Sequence, residues 1–123
     1  MGNYKDLKVY IKSYDLAMAI FHISKTFPAD ERYGLTSQIR RSSRSVCSGV
    51  AEGYRKRRYE AHFISKLTYA DMENTETMVW IDFAFSCEYI DKDTQIQLYQ
   101  QSEEIGKLLS FMIDNPARFI WQG

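Results

Sequence analysis

Between Gln38 and Arg58 stand seven cations, Arg40, Arg41, Arg44, Arg55, Lys56, Arg57 and Arg58, against one acid, Glu52. Guanidinium and ammonium groups at this density suit phosphate oxygens, and Tyr54 and Tyr59 flank them as rings on which bases can stack. The segment reads as a candidate surface for nucleic acid, RNA or DNA. A structural use competes with it. Cations near a helix C-terminus meet the negative end of the macrodipole, and Glu52 precedes Arg55 and Lys56 by three and four residues. Arg41 or Arg44 can also pair with Asp71, Glu73 or Glu76, across the bundle or across a subunit interface. Residue types and spacing leave phosphate binding and structural ion pairing both open.

Other chemistry finds little support. "SGVAEG" has neither the Walker lysine nor the glycine spacing of a dinucleotide loop. His22 falls beside an apolar stripe and His62 follows Glu60 by two, so neither makes the Glu-x-x-His pair of a di-iron bundle. Glu73 and Glu76 share a helix side without a nucleophile or metal partner, and such pairs commonly lie on solvated faces. Cys47 and Cys87 lack a second pair or a histidine at ligand spacing, and both are expected to be small, buried, reduced core residues. No catalytic residue, metal or cofactor is expected, and the chain does not read as an enzyme.

The elements that must position the cations follow from composition and period. A chain of 123 residues, 45% hydrophobic and 26% charged, suits one domain. Its formal charge of zero hides a basic segment of +6 set in a remainder of −6. No run approaches the roughly 20 apolar residues of a membrane span. Met1 to Tyr14 alternates charged and apolar residues too quickly for a signal peptide, so a cytoplasmic protein is expected.

Apolar residues recur at three and four along four segments, placing helices at roughly 5–26, 36–57, 59–87 and 92–115. Leu16, Ala19, Ile20, Ile23 and Phe27 share one face of the first, which "FPADERYG" ends. Either Thr36 or Ser37 can cap the second, whose inward stripe is Leu35, Ile39, Ser42, Val46, Val50 and Gly53. On this helix Arg40, Arg44 and Arg55 project away from the stripe, with Arg41 at the edge of their sector. Ser45, Gly49 and Gly53 form a ridge of small residues suited to close packing. The third stripe is Phe63, Ile64, Leu67, Ala70, Asn74, Met78, Ile81 and Phe85. Asp91 or Asp93 caps the fourth helix, and Asn115 and Pro116 stop it. The fold class is all-α: an antiparallel, up-down-up-down four-helix bundle forming one domain over 1–123.

Two features exceed the needs of a monomeric bundle. Tyr69, Met72, Trp80 and Phe83 cluster opposite the third helix's inward stripe, so that helix is apolar on both faces and points to a homo-oligomer. Asp71 and Asn74 fall inside the stripe, where they need partners such as arginines or hydroxyls of the second helix.

"FPADERYGLTSQIRRSSRSVCSGVAEGYRK" resembles the four-helix bundle family encoded by intervening sequences of bacterial 23S rRNA genes, sometimes labelled S23 ribosomal proteins. Its FP-x-x-E-x-x-G-L turn, Q-[IL]-R-R and S-[IV]-x-x-N-[IV]-A-E-G are matched by Phe27, Pro28, Glu31, Gly34, Leu35, Gln38, Ile39, Arg40, Arg41, Ser45, Val46, Val50, Ala51, Glu52 and Gly53. "ENTETMVWIDFAFSCEYI" is similar to the third helix of one branch, and the likeness spans nearly the whole chain. Gly49 stands where the family usually has asparagine, and Ser42 and Ser43 where alanines are common. The resemblance implies a ring-like homopentamer, similar also to accessory proteins of diversity-generating retroelements. It further implies a positively charged surface for nucleic acid and a protein partner of the reverse-transcriptase kind.

Overall fold

The computed structural model describes residues 2–120 and resolves the periodicity into four helices, α1 (Lys8–Ser24), α2 (Leu35–Arg55), α3 (Glu60–Ser86) and α4 (Lys92–Asp114). Among the described residues there is no strand, and the chain is an all-α bundle. Each helix packs on its neighbours in sequence and α4 returns against α1, contacts that fit an up-down-up-down order. Lys12 of α1 and Glu104 of α4 bridge that last seam at 2.9 Å.

Helix ends differ from the expected ones for local reasons. Asn3 and Asp6 close a capping box around a 3-10 turn at Tyr4–Asp6, and extended Leu7 then delays α1 to Lys8. Neither Thr36 nor Ser37 caps α2. Gly34 occupies the cap, and the Glu31 carboxylate from the preceding turn accepts the Leu35 N–H at 3.0 Å. A Cβ on Gly34 would stand 2.7 Å from Glu31 Oε1, so the glycine makes room for the carboxylate. This gives the Glu-x-x-Gly-Leu spacing a physical purpose. Asp91 caps α4 by accepting the Thr94 N–H at 2.8 Å. At the C-terminus of α3, Glu88 adopts φ 63° while Tyr89 N–H reaches Ala84 C=O and Glu88 N–H reaches Phe85 C=O, a Schellman closure without glycine.

The core is built from Leu16 and Ile20, from Ile39, Val46 and Val50, from Phe63, Leu67 and Ile81, and from Leu98, Ile105 and Leu109. All six positions of the expected α2 stripe are buried. Its seam with α3 is tight, because a Cβ on Gly49 would lie 3.1 Å from the Ala70 Cβ. The α3 stripe is rotated from the expected one: Glu73, Thr77 and Ala84 are buried, whereas Ile64, Met78 and Phe85 are only half-buried. That rotation turns polar α3 residues toward α2, and Thr77 shares a 2.8 Å hydrogen bond with Ser42. Asn74 finds its hydroxyl on α4 instead of α2. Its Nδ2 donates to Ser102 C=O at 2.9 Å, and Ser102 Oγ donates to its Oδ1 at 2.8 Å. Beyond α4, Phe119 packs on Phe63 and Phe111; the rest of the tail, from residue 121, lies outside the described residues.

Candidate nucleic-acid interface

The basic segment, continuous in sequence, divides in space. Arg40, Arg41 and Arg44 join Arg32 around an open surface basin of about 670 Å³, lined also by Tyr33, Thr36, Ser37, Ser45 and Ser48. Arg55, Lys56, Arg57 and Arg58 line a second basin of about 660 Å³ with Tyr4, Tyr54 and Tyr59. At a helical rise of about 1.5 Å per residue, Arg44 and Arg55 stand roughly 16 Å apart along α2. The small side chains of Ser48 and Ala51 occupy the interval on that side of the helix.

Within the first basin the arginines are not equivalent. Arg40 is half-buried and does not simply project outward: its Nε donates to the buried Ser24 hydroxyl at 2.7 Å, and its guanidinium lies 4.9 Å from the Phe21 ring centroid. Its position beside the last turn of α1 puts the cation near carbonyls at the negative end of that helix. Arg41 crosses to α3, donating through Nη1 to Glu73 at 2.8 Å and through Nη2 to Glu76. Glu73 is buried, which corrects the reading of the pair as solvated carboxylates. Glu76 also accepts the Trp80 indole N–H at 3.1 Å. Arg44 is exposed, with its guanidinium 5.9 Å from the Phe21 centroid.

Structural pairing therefore accounts for Arg41 within one chain. Asp71, the other acid weighed for this role, is half-buried, and burial raises its carboxyl above the usual range. At the far end Arg55 and Lys56 are exposed, and Glu52 bridges to Lys66 of α3 at 3.5 Å instead of to either of them. Arg57 lies over the Tyr54 ring at 3.9 Å and donates to its carbonyl, so that ring already has a cation on it.

Two members of the first basin escaped the sequence argument. Arg32 and Tyr33 belong to the loop before α2, outside the charge run, and Tyr33 is 86% exposed. The only hint in sequence was their place in "ERYG", next to a helix start.

Neither histidine and neither cysteine lines either basin. His22 and His62 are exposed, and among the described residues no group of three or more His, Cys, Asp or Glu could hold a metal ion. The cysteines differ from expectation: Cys47 is half-buried beside Tyr10 and Tyr14, with burial pushing its thiol up to about 11, and Cys87 is exposed. Cys47 falls beside the buried arc of α2, and Cys87 lies past the end of α3 as its C-cap.

The second face of α3 is apolar in space as well as in sequence. Tyr69, Met72 and Phe83 are exposed, and Val79 joins them. Trp80 departs from this group, being half-buried against the core with its indole tied to Glu76. Among the described residues no helix is long and apolar enough to cross a membrane.

The fold has relatives. A solved protein of unknown function from the S23 ribosomal protein family of Bacteroides thetaiotaomicron is similar at 30% identity, with a TM-score of 0.78 over 86% of this chain and 95% of that one. No curated protein matches the chain. The family described as 23S rRNA-intervening sequence protein matches residues 5–111, nearly the whole bundle, and the chain belongs to that family.

Proposed function

We propose that this chain is a non-enzymatic, cytoplasmic, homopentameric bundle that binds nucleic acid, RNA foremost, through the basic face of α2. The observation that carries the reading is the first basin, where four guanidinium groups meet the hydroxyls of Tyr33, Thr36, Ser37, Ser45 and Ser48 on an open surface. Arg40 is held by Ser24, so less side-chain freedom is lost when a phosphate arrives. Exposed Tyr69, Met72 and Phe83 supply an apolar face for neighbouring subunits. Repeating the basic face around a ring strengthens binding by multivalency.

Affinity then comes mostly from phosphates and falls as salt rises. Filter binding of RNA and DNA in increasing salt tests this; no retention of either at low ionic strength removes the hypothesis. Light scattering should report five times the 14.5 kDa chain mass.

A second reading, a protein-interaction scaffold with structural arginines, draws on the Arg41 pairing with Glu73 and Glu76. Charge reversal at Arg40 and Arg44 separates the two. Loss of the assembly favours the scaffold, whereas an intact assembly that no longer retains RNA favours the binding surface.

A further inference from the structure

We propose that the basin at the head of α2 takes single-stranded nucleic acid, with the backbone on Arg44 and its neighbours and an unpaired base stacked on Tyr33. This rests on the nucleic-acid reading above and adds the strandedness of the ligand.

Tyr33 is the most exposed large hydrophobic residue among those described, at 86%. It sits in the turn just before α2, on the rim of the basin, with the Arg32 guanidinium 5.5 Å from its ring centroid. A ring so placed adds almost nothing to the core. Arg32 lies over the ring more loosely than Arg57 lies over Tyr54, at 5.5 Å against 3.9 Å, and an aromatic ring left this exposed is a surface on which an unpaired base stacks.

The electrostatics of the basin point the same way. Arg41 is matched by Glu73 and Glu76, so the net positive charge facing a phosphate is smaller than the arginine count suggests. Phosphate attraction alone is correspondingly weaker, which leaves a larger share of affinity to stacking. In a duplex the base faces are already covered by their neighbours, and Tyr33 could reach only edges or backbone. The ring therefore discriminates between strands that expose base faces and strands that do not. A peptide of Asp and Glu could satisfy Arg44 but offers no aromatic face for Tyr33.

The test is fluorescence anisotropy on the intact protein at low ionic strength. The probes are a short unstructured RNA, the DNA of the same sequence, and each annealed to its complement. Both single strands should bind more tightly than their duplexes. Tyr33→Ala should weaken single-strand binding by about 5- to 100-fold, with duplex binding unchanged and Tyr33→Phe restoring the wild-type value. Preference for the RNA strand would assign 2′-hydroxyl contacts, and equal affinity for both strands would assign stacking and phosphate alone; either supports the proposal. Duplex binding as tight as single-strand binding, an unaffected Tyr33→Ala variant, or equal displacement by polyglutamate of matched charge would overturn it. The first two leave the general nucleic-acid reading standing. Absence of binding by all four probes would overturn both. Because Tyr33 is exposed, its substitution should leave thermal unfolding unchanged.

Discussion

The Tyr89 hydroxyl donates a 2.8 Å hydrogen bond to Oε2 of Glu31, whose Oε1 accepts the Leu35 N–H. One carboxylate thus caps α2 and ties the α1–α2 turn to the α3–α4 turn. The Leu35 N–H and then the Tyr89 hydroxyl hold Glu31 below the usual carboxyl range. The bond to Glu31, with burial and nearby negative charge, pushes Tyr89 up to about 12. A lowered carboxyl contributes stability above the unfolded value of about 4.3, and that contribution is lost as pH falls through the folded one. Glu31→Gln should lower stability at neutral pH and flatten its decline in that acid window, as read by urea unfolding over a pH series. Tyr89→Phe should act in the same direction with a smaller effect, and an unchanged acid profile in both variants would contradict the latch.

The α2–α3 seam closes over Gly49, where any Cβ meets Ala70 Cβ and, at 3.4 Å, its Cα. Neither atom belongs to a flexible side-chain end, so relief requires the helices to part. Gly49→Val should cost about 1–3 kcal/mol by overpacking, measured as a lower urea midpoint at unchanged slope.

Asn74 and Ser102 satisfy each other in the core between α3 and α4, both almost fully buried. Asn74→Ala leaves the Ser102 hydroxyl and carbonyl without this partner and should cost about 1–3 kcal/mol. A double-mutant cycle with Ser102→Ala should show coupling, since each change removes the same pair of bonds. Strict additivity would mean that the pair is not a unit.

Arg41 and Arg44 are adjacent turns of one charge cluster with different partners. Arg41→Met strands buried Glu73 and should lower stability by about 1–3 kcal/mol, between the values for exposed and buried pairs. Arg44→Glu should leave stability within about 0.5 kcal/mol and weaken RNA retention. Chemical denaturation and filter binding on both variants check this division, and the opposite ranking would reverse the assignment of structural and binding arginines.

What lay in the sequence alone was whatever depends on spacing within one helix. The 3.6-residue period located all four helices and an α2 stripe whose six positions are all buried, though Ser43 and Gly49 are buried beside it, and it revealed the second apolar face of α3 through Tyr69, Met72 and Phe83. Tertiary structure decided what depends on the rotation and stagger of one helix against another. A modest rotation of α3 buried Glu73 and Thr77, claimed Arg41 and turned Asn74 toward Ser102. The fold of the α1–α2 turn gave the α2 cap to Glu31 and set Arg32 and Tyr33 beside Arg44. Helical geometry places residues three and four apart on the same face whatever the surroundings, but cross-helix partners are chosen by packing, which no local spacing encodes.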